Sequence, residues 1–504
     1  MGEDVKHRGA ITAFIISATT MQTLDTTIAN IALPHMQGSF SASQDQINWV
    51  LTSYIVAAAI ATPPTGWLSR RFGRARLLEF AVAGFTVASV LCGISQSLEE
   101  MVLFRLLQGL CGACFVPLSQ AVMLDIYPKE RQGWAMALWG VGVMIGPILG
   151  PTIGGWLTEN LDWRWVFLIN LPVGVVTWVG LVTFLPERRS VDTMDFDWFG
   201  FATLSLAIGA LQLMLDRGEQ LDWFSSPEII TEAVISGLAF YLFLVQLLTV
   251  KHPFISPGVF KDRNLTISVA FIFALAVLML GSMALVTPFL QEILGYPVVT
   301  AGLALAPRGI GTMVAMFTVG YLLGRIDVRF LLLFGLTLLT YTLWAMCQFT
   351  TDEPESIVVL NGLVQGFGLG FLFVPLSTVA FATLPPTLRA EGAAIFSLAR
   401  NIGGAIGISI FVGLLDRSTQ ANHADIAAYV TPFNRMLDVG AMLGTKAQVT
   451  AMTLDSEVMR EASTIAYLND FRVMMWLGLA LVPLVLLLRV QRQPAVESPA
   501  AAFE

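Results

Sequence analysis

A chain of 504 residues that is 55% hydrophobic and only 13% charged is not an ordinary soluble domain, in which about a quarter of the residues carry charge. No soluble core of this length hides that much apolar side chain, whereas helices of about 20 apolar residues crossing a bilayer account for it. The net charge of −8 gives no reason to expect a nucleic-acid partner, because basic and acidic residues are sorted by side rather than pooled.

Fourteen segments have the length and apolarity of a span, starting near residues 10, 47, 77, 100, 134, 163, 198, 228, 265, 300, 329, 356, 391 and 470. Barrel strands would be short and alternate polar with apolar, so the expected fold is an all-α integral membrane protein. The first segment, about Gly9 to Pro34, is too long for a cleaved leader and contains Asp25. Cys92, Cys111, Cys114 and Cys347 fall inside spans, so no disulfide framework is expected. With no His or further Cys nearby, Cys111-x-x-Cys114 reads as helix packing, not as a metal or redox pair.

Basic residues crowd alternate connections. Lys6, Arg8, Arg70, Arg71, Arg74, Arg76, Lys129, Arg131, Arg188, Arg189, Lys251, Lys261, Arg263, Arg325, Arg329, Arg389, Arg489 and Arg492 lie on the N-terminal side. The short connections opposite carry Arg164 and Arg217. By the positive-inside rule both termini are expected in the cytoplasm.

In span 1, Asp25 is an acid deep in an apolar helix, where a charge costs at least about 2.5–3.5 kcal/mol on insertion scales. That expense makes it a candidate proton carrier; the plainer reading is a carboxylate that ties helices together. Arg105 in span 4 is its candidate partner. Asp25 lies about 24 Å from the N-terminal face and Arg105 about 22 Å, at 1.5 Å per residue in a core of ~30 Å. Alternatively, Arg105 snorkels to the outer headgroups. Span 5 carries "GWAMALWGVGVMIGPILGPTIGG", with Gly133, Gly142, Gly146, Pro147, Gly150, Pro151, Gly154 and Gly155 in a spaced pattern. Glycines give a helix face without side chains for a close neighbour, and the prolines are expected to bend the span. The result is a seam that moves, or a static packing seam.

In the later spans, Arg308 and Arg400, with Asn401 beside it, sit within apolar helices, and Arg400 lies near the midplane. Together with Arg105 they are expected to make a substrate cavity net positive, favouring lipophilic weak acids or zwitterions; helix-to-helix hydrogen bonding is the alternative for Arg400. The segment Asp416–Asn469 is far longer than the other outer connections and has helix-like apolar spacing over Val449–Leu468, a short outer helix or a solvated cap.

The chain also repeats itself. "QGLCGACFVPLS" from Gln108 in span 4 is echoed by "QGFGLGFLFVPLS" from Gln365 in span 12, and "GWLSRRFGRAR" from Gly66 by "GYLLGRIDVR" from Gly320. Spans 1–6 and 9–14 are therefore parallel six-helix halves with spans 7 and 8 inserted, the layout of alternating-access transporters. The division expected is 1–190, 191–263, 264–490 with outer loop 416–469, and a cytoplasmic tail 491–504.

On these motifs nearly the whole chain resembles the major facilitator superfamily, in its fourteen-span drug:proton antiporter branch. "LDTTIANIALP" (Leu24–Pro34) is similar to that branch's span 1 motif, "RLLQG" (Arg105–Gly109) to its span 4 motif, and "WRWVFLINLPVG" (Trp163–Gly174) to the start of its span 6. "LQLMLDRGEQLDWFSS" (Leu211–Ser226) resembles the span 7–8 connection of EmrB-type multidrug exporters. The glycine pattern of span 5 matches the branch's antiporter motif. Gly66, Arg70, Gly73 and Arg74 match the superfamily's loop motif, except that Arg70 stands where an acid is usual, which puts the relay attributed to that acid in question.

The resemblance implies a proton-driven exporter of hydrophobic small molecules in the bacterial inner membrane. It implies a periplasmic adaptor of the EmrA type and an outer-membrane channel as partners, and a proton gradient in place of a cofactor. None of Lys6, Lys129, Lys251, Lys261 or Lys446 is followed by Ser or Thr, so there is no Walker A loop. The rival readings are a dedicated exporter of one metabolite or siderophore, and a receptor or scaffold that no longer transports.

Overall fold

Residues 7–128, 131–186, 195–251, 253–430 and 447–488 are described by a computed structural model. The expected tail 491–504 lies outside them, as do Lys6, Lys129, Arg188, Arg189, Arg489 and Arg492 of the charge pattern. Apart from an isolated bridge between Leu323 and Ile326, every regular element among the described residues is a helix.

The first half runs Arg8–Phe40 (span 1), Gln44–Ala61 (span 2), Arg74–Ile94 (span 3), Leu98–Gly112 with Phe115–Ile126 (span 4), Gln132–Asn160 (span 5) and Asn170–Phe184 (span 6). Trp198–Arg217 and Pro227–Thr249 are the inserted spans 7 and 8. The second half runs Arg263–Pro288, Val298–Leu322, Val328–Met346, Glu355–Ala382, Arg389–Ala427 and Ala447–Ala480 as spans 9 to 14. Twelve of these units are long and apolar enough to cross a membrane, and a bent pair, Gln46–Ala61 with Thr65–Phe72 at 59°, makes a thirteenth. Span 1 is the fourteenth. Its 33 residues are less apolar because Thr19, Thr20, Gln22, Thr23, Asp25, Thr26 and Thr27 fall in one stretch.

Local chemistry sets several starts. The side chain of Ser43 accepts from the Gln46 amide and Gln46 answers in a capping box at span 2. Ser97, Asp197, Ser226, Asp262 and Asp327 cap spans 4, 7, 8, 9 and 11 in the same sense. Outward-facing apolar residues such as Phe80, Val176, Leu248 and Phe330 remain 60–80% exposed, a surface suited to lipid.

The duplicated Gln-Gly stretches have one physical role. In span 4, a Cβ at Gly109 would fall 2.5 Å from the Tyr54 carbonyl oxygen of span 2. In span 12, a Cβ at Gly366 would fall 1.8 Å from the Arg308 carbonyl oxygen of span 10. In each half, then, the fourth helix lies backbone-to-backbone on the second, which only a residue without a side chain allows. The copies are not identical: three residues before Gln108 stands Arg105, whereas three before Gln365 stands Gly362.

The halves meet along two lines. Span 5 packs on span 10, where Cβ atoms at Gly140, Gly309 and Gly320 would come within 3 Å of Met316, Ile148 and Ala137. On the second line, spans 2 and 4 approach span 13. The inserted span 7 flanks this line: Thr52 of span 2 donates to Asp216, and Ser409 of span 13 donates to the Leu215 carbonyl at 3.0 Å.

The segment expected as a short outer helix or cap is built otherwise. Span 13 continues as one helix past Asp416 to Ala427, and a helix from Ala447 runs without a break into span 14. The polar residues here solvate two prolonged helices, tied by Asn422 to the Ala462 carbonyl at 3.2 Å and by His423 to Asp455 at 3.0 Å. Residues 431–446 of this segment lie outside the described residues.

Candidate functional site

Asp25 and Arg105, 80 residues apart, form an ion pair at 2.6 Å with both side chains at 1% exposure or less. The carboxylate is saturated with donors: Arg105 Nη1 on Oδ2, and Gln108 Nε2 at 2.8 Å and Asn170 Nδ2 at 2.9 Å on Oδ1. The guanidinium is held as firmly. Its Nε donates to the Val50 carbonyl at 3.1 Å and Nη1 to Gln108 Oε1 at 2.6 Å, and its Cζ lies 4.4 Å from the Tyr54 ring centre. Ser89 accepts from both Gln108 and Asn170.

Spans 1, 2, 3, 4 and 6 each place one part of this network. Charge-assisted bonds of this kind are short and strong where water is excluded. Arg105 does not snorkel. The arrangement also shows what a proton would do: protonating Asp25 neutralises it and leaves Arg105 on neutral acceptors alone.

Gln108 and Asn170 were not singled out from the sequence. Each is a neutral amide inside a recognisable motif, and neither shows the insertion cost that marks a charge. The signal was available in "VFLINLPVG", where Asn170 interrupts an apolar run. Asn170 also borders an apolar crevice of about 410 Å³ between spans 1, 5 and 6, lined by Ile16, Leu24, Ile145 and Val173.

The span 5 glycines divide into three groups. Cβ atoms at Gly142, Gly146 and Gly150 would lie 2.3, 2.4 and 2.1 Å from Ile16, Thr23 and Thr27 of span 1, and one at Gly154 would touch Ile28 at 3.1 Å. Thr20 and Thr27 donate to the carbonyls of Gly142 and Gly146 at 2.9 and 3.2 Å. Gly133 instead faces Leu323 at the end of span 10, and Gly155 faces open space. The pattern is thus not one face. Pro147 and Pro151 lie within a single helix, Gln132–Asn160.

A family model described as Major Facilitator Superfamily matches residues 15–408. The chain belongs to the major facilitator superfamily. It is 37% identical to the multidrug export protein EmrB of Escherichia coli K12, over 83% of this chain and 82% of that one. It is 34% identical to the fatty acid resistance protein FarB of Neisseria gonorrhoeae, over 90% and 88%. It is 28% identical to the colistin resistance protein EmrB of Acinetobacter baumannii, over 89% and 90%. Among solved structures, the human organic anion transporter MFSD10 shares the fold with a TM-score of 0.60 at 14% identity, covering 94% of this chain and all of that one. The proton:xylose symporter XylE does so at 0.59 and 14%, covering 94% and 96%.

The superfamily's loop motif joins the halves here. Arg70 pairs with Glu391 at the start of span 13, and Glu391 also accepts from the Ser256 amide. Arg74 pairs with Asp125 at the end of span 4, and Arg389 reaches the same Asp125 and the Leu124 carbonyl at 3.1 Å. A Cβ at Gly66 would fall 2.8 Å from Glu391 Cα, while Gly73 takes a positive φ of 87° at the turn into span 3. The acid absent at position 70 is thus answered by Glu391 in the other half. With these contacts made, the basic face is closed.

Arg308 and Arg400 are not brought to the Asp25 network. Arg308 is half-buried, with Nη2 near the Met279 carbonyl at 3.4 Å and Ser282 at 3.5 Å. Arg400 is half-buried and makes no ion pair among the described residues, and Asn401 is exposed. Arg105, counted in the sequence reading toward a net positive cavity, is instead neutralised by Asp25, so any excess positive charge rests on Arg308 and Arg400.

Proposed function

We propose that this major facilitator exports hydrophobic small molecules across the bacterial inner membrane in exchange for protons. The observation that carries it is the buried Asp25–Arg105 pair, a titratable carboxyl whose charge is matched only while its bonds persist. The names of the relatives, multidrug export and resistance to fatty acids and to colistin, support efflux. In this scheme the basic face is cytoplasmic, with both termini there, and the halves 1–190 and 264–490 rock about the inserted pair 191–263. A proton loading Asp25 from outside breaks its bond to Arg105, and the span 1–span 5 seam yields. Its release inside remakes the pair.

No cofactor enters the cycle. One proton at about 150 mV supplies about 3.5 kcal/mol, or about 300-fold of concentration gradient. The half-buried Arg308 and Arg400 face the cargo and favour lipophilic acids or zwitterions, in line with the name of the Neisseria relative. The prolonged far-face helices of spans 13 and 14 offer a surface for an EmrA-type periplasmic adaptor leading to an outer-membrane channel.

The deciding experiment uses everted vesicles with an imposed pH gradient. Adding a transported drug should collapse the gradient with the native chain and leave it intact with Asp25→Asn. Collapse of equal size in both would reject Asp25 as the coupling site. No collapse in either, with drug still exported, would reject proton exchange.

A further inference from the structure

Asp470 of span 14 is a second buried carboxyl, and its setting is opposite to that of Asp25. Its exposure is 0%, and among the described residues neither Oδ1 nor Oδ2 has a hydrogen-bond partner. No ion pair among the described residues includes it. About 26 Å of helix, at 1.5 Å per residue, separates it from the basic-face end at Leu487, so it lies toward the far face.

The surroundings are aromatic. Phe289 at the end of span 9 has its ring centre 5.3 Å from Tyr467, 6.4 Å from Phe471 and 6.0 Å from Phe349. Around this stretch, the titratable and charged groups on the packed elements are Glu292 after span 9, Cys347 at the end of span 11, and Asp416 and Arg417 on span 13. On its own helix Arg472 is exposed, and Arg460 is engaged with the Ile293 and Thr351 carbonyls. Glu292 and Asp416 are acids and offer Asp470 no counter-charge. Among the described residues a carboxylate anion at Asp470 has neither donor nor counter-ion, while a carboxylic acid at the same place is tolerated.

We propose that Asp470 is a second proton-binding carboxyl. It is neutral in this basic-face-closed conformation and ionises when span 14 shifts against spans 9 and 11 and water reaches it. The O–H bond then breaks, the proton passes to water, and the hydrated carboxylate holds the second half in its other arrangement. This inference rests on the reading of the chain as a proton-coupled exporter, and places one titrating group in each half.

Infrared difference spectroscopy on the full-length chain in lipid nanodiscs tests it, together with proton counting by a pH-indicator dye across a neutral titration. The native chain should show the carbonyl band of a protonated carboxylic acid, sensitive to deuterium exchange. Asp470→Asn should lose that band and bind about one proton fewer per chain, whereas Asp25→Asn should retain the band. Asp470→Leu, which fills the apolar site without a titrating group, provides the same readings should the Asn variant not fold. A band and proton count unchanged in the Asp470 variants, or no such band in the native chain, overturns the inference. Either result leaves the Asp25 reading to its own drug-driven gradient experiment.

Discussion

Arg70, in the short helix after span 2, donates to Glu391 in the first turn of span 13, 321 residues away, and so fastens one half of the molecule to the other at the basic face. Glu391 is nearly inaccessible in this pairing while Arg70 keeps 15% exposure, so loss of the arginine leaves a buried carboxylate held by Ser256 but without this counter-ion. Arg70→Ala is expected to destabilise the closed face by about 1–3 kcal/mol, the range for losing a hydrogen bond to a charged, buried group. Spin-label distances across that face should lengthen, and the swap Arg70→Glu with Glu391→Arg should shorten them again. Unchanged distances in Arg70→Ala would show that the other contacts suffice.

Removing one member of the Asp25–Arg105 pair should cost more than removing both charges. Arg105→Ala is expected to lower stability by about 3–5 kcal/mol, because it leaves an uncompensated charge among apolar helices. Adding Asp25→Asn to Arg105→Ala should recover most of that loss while export remains abolished. A double-mutant cycle on thermal unfolding in detergent provides the coupling; independent, additive losses would contradict the pairing.

The span 5 glycines supply an internal control. A Cβ at Gly146 would come 2.4 Å from Thr23 Oγ1 and 2.6 Å from the Leu24 amide, whereas one at Gly155 meets nothing within 4 Å. Gly146→Ala should cost about 1–3 kcal/mol by forcing spans 1 and 5 apart, and should cut export sharply. Gly155→Ala should leave both intact. Equal effects of the two substitutions on export would show that the seam does not govern transport.

Cargo selection is expected to follow Arg308 and Arg400, second-half cations within spans that no acid pairs with among the described residues. Arg400→Ala and Arg308→Ala should reduce export of lipophilic acids several-fold more than export of cationic dyes, with protein levels unchanged. Efflux assays with matched acid and cation pairs check this, and undiminished acid export would exclude the charge-based preference.

What was legible in the sequence was whatever carries a large energetic penalty. Asp25 and Arg105 stand out because charge in an apolar helix is expensive, and the rise per residue alone brings them to similar depth. The repeat was legible because Gly109 and Gly366 serve the same backbone contact in both halves. Gln108, Asn170 and Ser89 were not, since neutral polar side chains in a span have no obligatory partner. The Val50 carbonyl that receives Arg105 could not be found at all, because a main-chain acceptor has no sequence signature. The Arg70–Glu391 contact depends on how two halves dock, which local patterns do not encode. The apolar spacing over Val449–Leu468 shows a helix there, but the polar composition around it conceals that this helix is continuous with span 14 and that span 13 runs on to Ala427.

The two copies diverge at one telling place, where Gly362 occupies the position that Arg105 holds in the first. Among the described residues, the first bundle has a buried salt bridge at this level and the second has none. In the second bundle that level is taken by Arg308 of span 10, which lies against Gly362 and Gly366 and whose guanidinium reaches the Met279 carbonyl and Ser282. No carboxylate answers Arg308 among the described residues, so a charge change at that position leaves every bond around Asp25 in place.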